Sequence, residues 1–430
     1  MDATKNKLPA LKDVLERVFQ LAPQNISSLW LAYSGGLDSH VLLHLAAQFK
    51  ARYPHISVRA IHIHHQIQAI SAQWVEHCEQ QCELLALPLV VKTLSLDLNS
   101  GASIEALARE ARYQVFSELV QSHEVLLTAH HQDDQAETLL LNLLRGSGAE
   151  GLAAMPEVRP LGQGYLIRPL LHYSRAELEH YATEHKLHYI NDPSNTDTRF
   201  NRNLLRQQVL PLLEQRWPAA KELLARAVHY QQEALAVNQE LVELQLKSVQ
   251  GFKPNTLSAS ALLIYSTIVQ KALIRAWLKK LDFLMPAASR LDSILKTVLI
   301  AKADAKPIVQ WQGCEVRRYR DDLYAFKPLT QPKHTQMSWE GRAPLRFNEY
   351  LVTPAMVQNY LEQASKSQSA FNVCIRQGGE RLKHGKQWLD LKTYWQTKGV
   401  PPWERERRPL IYLQDTLIAV PDVEFDQSLV

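Results

Sequence analysis

Between residues 28 and 190 the chain alternates short apolar, β-branched runs with longer stretches of helical periodicity, and this alternation constrains the fold more than any other feature. A strand that feeds a helix and returns to a neighbouring strand gives parallel pairing. SLWLAY, SVRAIHIHH, PLVVKTL, EVLLTAH and YLIRPLL read as strands. DSHVLLHLAAQFK, SAQWVEHCEQQCELL, SIEALAREARYQVFSELV and DDQAETLLLNLLR carry apolar residues three and four apart, as amphipathic helices do. The spacing predicts an α/β fold with a doubly wound, mostly parallel, Rossmann-like sheet. SRAELEHYATEHKL adds a helix, and a basic helix begins near Asn201, with Pro211 and Pro218 expected to end it.

A chain of 430 residues exceeds one ordinary domain. The α/β domain is placed at 1–217. Helical periodicity and three short strands (PIVQWQ, CEVRRYR, LYAFKP) make 218–330 a mainly helical domain. Residues 331–343, within the polar TQPKHTQMSWEGRAP, read as a linker, and 344–430 as a small α/β domain. The net charge of +4 is too small to make the whole surface a polyanion binder, so any nucleic-acid site is regional. Four cysteines without a C-x-x-C pair argue for a reducing compartment, and no stretch is apolar enough to span a membrane; a cytoplasmic protein is expected.

Glycine is scarce, yet Gly35 and Gly36 stand together in Ser34-Gly35-Gly36-Leu37-Asp38-Ser39, directly after the first strand and opening a helix. Paired glycines let the backbone turn its N–H groups inward, and the helix N-terminus adds partial positive charge; together they form an anion cradle. Ser34 and Ser39 add hydroxyl donors. Asp38 puts a carboxylate beside the phosphates, which makes electrostatic sense with Mg²⁺ between them. A plain Gly-Gly turn capped by Ser or Asp is the competing explanation. Neither a Walker G-K-[ST] sequence nor a G-x-G-x-x-G fingerprint is present.

The run Thr128-Ala129-His130-His131-Gln132-Asp133-Asp134-Gln135-Ala136-Glu137-Thr138 follows the strand EVLL, at the end where open α/β sheets place ligands. Asp134 and Glu137 share a helix face and make an anionic clamp suited to an amine or a metal; Asp133 and Glu137 do so as well, and spacing leaves both pairs open. A solvated acidic first turn is the alternative. Arg199, Arg202, Asn203 and Arg206 lie on the basic helix and its approach, as candidate phosphate or RNA contacts. Arg109 and Arg112 are weaker candidates, since Glu105 and Glu110 stand ready to pair with them. Between Arg376 and Arg408 nine Lys/Arg face four Asp/Glu, interleaved with Trp388, Tyr394, Trp395 and Trp403. Arg376, Lys392, Trp403 and Arg405 are read there as an RNA surface, with Trp395 equally suited to the core.

The SGGxDS loop resembles the pyrophosphate loop of the N-type ATP pyrophosphatases. HHQDDQAETLLLNLLRGSGAEGLAAM, NDPSNTDTRFNRNLLRQQVLP and LKTYWQTKGVPPWERERRPLIY, with IHIHHQ and IEALAREARY upstream, are similar to ordered elements of the tRNA(Ile)-lysidine synthase family. Gln66 departs from that family's glycine in an H-G-L sequence. The resemblance implies a ligase in which ATP adenylates O2 of the wobble cytidine in a CAU-anticodon tRNA(Ile), after which the ε-amine of free L-lysine displaces AMP at C2. It further implies that residues Ser34 to Ser39 bind ATP, that Asp38 serves Mg²⁺, and that Asp134 and Glu137 hold and help deprotonate the lysine. A homodimer is a further expectation.

Three rivals fit parts of the sequence. A tRNA thiolase or an amidotransferase-linked synthetase of the same ATP pyrophosphatase group would need a sulfur-carrying cysteine pair or a glutaminase segment, and Cys78 with Cys82 reads as a helical core pair. A metal-dependent hydrolase would use His62, His64, His130 and His131. A non-catalytic, nucleotide-sensing RNA-binding module would leave Asp38, Asp134 and Glu137 without a task.

Overall fold

A computed structural model describes residues 10–23, 25–64, 71–94, 104–192, 196–302, 305–366, 370–384 and 387–421. Gln66 and the side chain of Glu105 lie outside the described residues. The chain divides into two units, Met1–Asn238 and Gln239–Val430.

In the first unit the strands are β1 (Ser28–Ala32), β2 (Ser57–His64), β3 (Leu89–Thr93), β4 (Glu124–Leu127), β5 (Val158–Leu161) and β6 (Gly164–Ile167), in the spatial order β3-β2-β1-β4-β6-β5. All neighbours are parallel except β5, which pairs antiparallel with β6. The helices are α1 (Arg17–Leu21), α2 (Leu37–Arg52), α3 (Ser71–Leu84), α4 (Ile104–Leu119), α5 (Gln132–Leu144), α6 (Ala149–Leu152) and α7 (Arg175–Glu184). Leu29, Trp30 and Leu31 of β1 are all buried, the mark of a strand covered on both faces. One core cluster joins β1 to α2 through Leu31, Val41, Leu45 and Phe49; another fills the opposite face with Trp30, Ile61, Phe116 and Leu126.

Strand order reverses at β1, which has β2 on one side and β4 on the other, and the loops leaving the carboxyl ends of these strands flank that switch point, the place where open α/β sheets bind ligands. Those loops are the Gly-Gly segment and the His-His segment. Topology alone thus brings together two motifs about a hundred residues apart.

Two expectations are corrected here. YLIRPLL supplies a strand only to Ile167, and its partner β5 was not foreseen, although Gly162, at φ +57, with Gln163 forms a two-residue hairpin turn. Pro211 does not end the basic helix. α8 (Asn201–Leu204) runs through a π-helical turn (Leu205–Val209) into α9 (Leu210–Arg216), which has the proline in its first turn. The widened turn accommodates a ring that has no N–H to give and crowds the preceding turn. α10 (Ala220–Ser248) follows and reaches into the second unit.

The second unit holds α11 (Ala259–Leu263), α12 (Thr267–Lys280) and α13 (Ala288–Ser293), packed on a sheet of β7 (Leu257–Ser258), β8 (Ile308–Trp311), β9 (Cys314–Tyr319) and β10 (Asp322–Phe326). Then come β11 (Gln336–Trp339), a hairpin of β12 (Leu345–Phe347) and β13 (Tyr350–Val352), the helix α14 (Leu361–Lys366) and β14 (Phe371–Cys374). A second hairpin, β15 (Arg381–His384) with β16 (Gln387–Asp390), precedes α15 (Leu391–Thr397), α16 (Pro402–Arg405), β17 (Leu410–Leu413) and β18 (Thr416–Ala419). The sheet order is β11-β14-β17-β18. Part of the expected linker is therefore β11, with Trp339 of that strand buried against Phe371.

Trp395 is 1% exposed and packs with Leu391, Val400 and Leu410, so it belongs to the core. Trp395→Ala is expected to destabilise the second unit by about 3–5 kcal/mol in urea unfolding, whereas Trp388→Ala, at a half-exposed site, changes stability by less than about 0.5 kcal/mol.

Candidate active site

The Gly-Gly loop has a tightly defined conformation. Gly35 has φ +87, which favours glycine, and a Cβ there would stand 3.1 Å from Ile190 Cδ1 and 3.2 Å from Cys78 Sγ, close enough that these side chains would have to give way. Gly36 is the N-cap of α2. Ser39 Oγ donates to Gly36 O (2.9 Å) and accepts from Ser34 N (3.2 Å), with Ser34 Oγ 3.0 Å away. The hydroxyls thus tie the loop into shape. The amides of the first turn, Leu37 and Asp38 among them, have no intrahelical acceptor.

Asp38 links this loop to the second motif. Its Oδ2 lies 3.4 Å from Arg175 and 3.7 Å from Nε2 of His131, while its Oδ1 is buried with no hydrogen-bond partner among the described residues.

The first turn of α5 is buried rather than solvated. Asp133 and Asp134 are 7% and 6% exposed and Glu137 is 0% exposed. Bare burial of three carboxylates would be prohibitively costly, so cations must accompany them. Arg202 donates from Nε to Glu137 Oε2 (2.6 Å) and from Nη2 to Asp134 Oδ1 (2.8 Å). Arg206 donates from Nε to Glu137 Oε1 (2.6 Å) and from Nη2 to Asp134 Oδ1 (3.1 Å). Asp133 points elsewhere: its Oδ1 accepts from the Arg175 amide (3.0 Å), and its Oδ2 meets Lys221 (3.0 Å). Geometry therefore separates the two aspartates that spacing left equivalent, and Asp134 pairs with Glu137.

Asp134 also caps its own helix, accepting from the His131 amide at 3.0 Å. Burial pushes its pKa up, yet His131, Arg202 and His130 outweigh that and hold it below the usual carboxylate range. For His131 burial disfavours protonation, but Asp134 and Asp38 raise its pKa above the ordinary histidine value. Its neighbour His130 behaves oppositely: burial drives it to about 3, against the pull of Asp134. Its Nδ1 lies 2.9 Å from Thr128 Oγ1.

Other candidates are placed differently. Arg199, fully exposed, pairs with Asp197 (2.7 Å), and Asn203 donates to Asp197 O (3.0 Å). Arg109 and Arg112 lie on α4, with Arg109 5.1 Å over the Tyr113 ring. In the second unit Arg376 pairs with Glu380 (3.1 Å), and Lys392 is exposed. Two RNA-surface expectations are corrected. Trp403 is buried among Tyr324, Phe326 and Arg317, and Arg405 is buried with its guanidinium on Val400 O and Tyr319 Oη, so neither presents a face to a nucleic acid. Sequence reading missed Arg175 and Lys221 as site residues, and took His131 only as a metal ligand of the rival hydrolase, not as the partner of Asp38 and Asp134. The acidic partners of Arg175 and Lys221 in this cluster lie from 42 to 137 residues away, and no local pattern marks either residue.

Cys78 and Cys82 are buried, and burial pushes both thiols up to about 12, which makes them core residues rather than sulfur carriers. Among the described residues no three His, Cys, Asp or Glu side chains are grouped to share a metal ion.

A parallel sheet with a glycine-shaped anion loop at its switch point and a carboxylate on the next helix defines the class, an ATP-using PP-loop enzyme. Residues 10–213 match the family model described as PP-loop domain, 257–324 the TilS substrate binding domain, and 371–429 the TilS substrate C-terminal domain. The tRNA(Ile)-lysidine synthase of Serratia proteamaculans is 40% identical over 399 residues, spanning 91% of this chain and 90% of its own. That of Coxiella burnetii is 38% identical over 405 residues (92% and 88%), and that of Shigella flexneri 39% over 409 (93% and 92%). The chain belongs to the tRNA(Ile)-lysidine synthase family.

The opposed shifts of the two adjacent histidines are directly measurable. In an NMR titration His131 should titrate above 6.5, while His130 stays neutral down to about pH 3. Because the folded pKa of His131 is raised, its contribution to stability is complete below the unfolded value and disappears as pH rises through the folded one. Arg206→Met, which strips one cation from a buried acidic pair, should cost about 1–3 kcal/mol, discounted for the partial exposure of Arg206.

Proposed function

We propose that the protein is an ATP-dependent ligase that converts the wobble cytidine of the CAU anticodon of tRNA(Ile) to lysidine, using free L-lysine and releasing AMP and pyrophosphate. Cytidine O2 attacks the α-phosphorus of ATP, pyrophosphate leaves, and the lysine ε-amine then attacks C2, expels AMP and loses a proton. The observation that carries this reading is the position of Asp38. Its carboxylate ends the anion loop and faces His131, so the loop and the acidic cluster act on one substrate assembly.

Each group answers a chemical demand. The Ser34–Ser39 loop offers amides and hydroxyls to the departing pyrophosphate, where developing charge is greatest. The buried Oδ1 of Asp38, without a hydrogen-bond partner among the described residues, is a hard oxygen donor beside that loop and fits Mg²⁺, which takes one or two carboxylates and completes its shell with phosphates and water. When bound, the ion offsets charge on the phosphates. Asp134 and Glu137 supply the counter-charge for an ammonium. Their oxygens already carry Arg202, Arg206 and the His131 amide, so the amine enters by taking over from a guanidinium. A guanidinium so released is available to a carboxylate or phosphate of the substrates. Exposed Arg199 and Lys392, with Arg376, remain proposed RNA contacts. A homodimer is the proposed assembly.

Incorporation of radiolabelled lysine into total tRNA tests the reading. Wild-type protein should label tRNA only with ATP present. Asp134→Asn and Glu137→Gln should each lower the rate at least a hundredfold, with far-UV circular dichroism verifying their fold. Asp38→Asn should abolish pyrophosphate release. Full activity in both acidic variants would refute the amine-holding role, and absence of tRNA-dependent AMP formation by the wild type would refute the reaction.

A further inference from the structure

Residues 401–408 form a basic, aromatic run, yet the reaction proposed above gives its buried Trp403 and Arg405 no task. Arg407 and Arg408 are buried with them, and arginine is seldom buried without a partner. The sheet β7-β10-β9-β8 shows what this run does. Its pleat sends Val316, Leu323 and Ala325 into the core shared with α12 and α13. The opposite face carries Arg317 and Tyr319 of β9 with Tyr324 and Phe326 of β10, and the register sets Tyr324 beside Arg317. Trp403 covers that face. Its ring centroid lies 5.3 Å from Tyr324, 5.7 Å from Phe326 and 6.3 Å from Tyr319, and the Arg317 guanidinium stands 5.4 Å from it.

We propose that Trp403 is a positioning residue for tRNA, a bolt that fixes the C-terminal module (371–429) on the substrate-binding module (257–324) so that tRNA meets both as one preformed surface; this rests on the tRNA reading above. The arginines of the same run reach separate parts of the second unit. Arg405 donates from Nε to Val400 O (2.7 Å) at home and from Nη2 to Tyr319 Oη (2.7 Å) on β9. Arg407 holds the intervening chain, donating from Nη2 to Glu349 Oε2 (3.1 Å) and from Nη1 to Thr330 O (2.5 Å). A contact also runs the other way, from Arg320 Nη2 to Gln396 O. Pro401 is the N-cap of α16 and Pro402 opens that helix, which fixes the approach of Trp403 to the sheet. A large aromatic anchor flanked by a cation and by satisfied guanidiniums resists separation of the two modules. A ligand that spans two modules held at fixed spacing binds without having to order them first. The run therefore serves RNA through the geometry it imposes rather than by touching it.

The test places spin labels at Gln310→Cys, exposed on β8, and at Asp415→Cys, exposed in the turn between β17 and β18; the four native cysteines are buried. The parent protein should give one narrow distance distribution that tRNA leaves unchanged. Trp403→Ala should broaden it and raise KM for tRNA roughly tenfold, with kcat and the KM values for ATP and lysine unchanged. Trp403→Phe should keep both the narrow distribution and the parent KM. Tyr319→Phe removes only the hydroxyl that Arg405 reaches, so it serves if Trp403→Ala does not fold; it should broaden the distribution and raise KM for tRNA about threefold. A broad distribution in the parent, or a narrow one in the folded variants, would overturn the bolt. A lowered kcat at unchanged KM for tRNA would overturn the positioning role. A parent protein that attaches no lysine to tRNA refutes the reaction instead, and the distances, with tRNA affinity by filter binding, then decide the bolt.

Discussion

Three carboxylates buried in the first turn of one helix impose the arrangement of the rest of the first unit. Asp133, Asp134 and Glu137 sit where β4 delivers them, at the switch point of the sheet, and burying them demands cations from elsewhere in the chain. Arg202 and Arg206 arrive from the helix that Pro211 was expected to end, and Lys221 from the start of α10. The π-helical turn at Leu205–Val209 keeps that helix continuous across the proline, with Arg206 inside the turn itself. Acidic turn and basic helix are therefore one structural unit assembled from segments about seventy residues apart.

The same interaction sets the chemistry available. Two guanidiniums on two carboxylates make a neutralised, preorganised cluster, not an open acidic clamp. Such a cluster can exchange one cation for another at small net cost, because an incoming cation, such as the ammonium proposed above, would inherit a site whose desolvation is already complete. His131 couples the cluster to Asp38 and so to the anion loop, and its raised pKa records the negative potential that those carboxylates create.

Much of the fold was legible because parallel strands buried on both faces leave long apolar runs, and the crossover helices between them have clear periodicity. The glycine loop was legible because Gly35 occupies a positive-φ conformation, with side-chain neighbours at 3.1 and 3.2 Å from where a Cβ would stand, and glycine is the residue that adopts it without strain. What escaped reading was set by tertiary pairing. Edge strand β5 and the strand inside the expected linker are defined by their partners. Trp403 and Arg405 looked like an RNA surface because a basic, aromatic segment has the same composition whether its rings stack on bases or on Tyr324 and Phe326. Arg175 and Lys221 carry no local signature at all.

The most direct measurement is the position of lysine in a crystal of the protein grown with lysine and a non-hydrolysable ATP analogue. An amine of the ligand should lie within hydrogen-bond distance of Asp134 and Glu137, with at least one of Arg202 and Arg206 moved off those carboxylates and the triphosphate on the Ser34–Ser39 loop. Lysine bound elsewhere, over an acidic pair still closed by both arginines, would contradict the account.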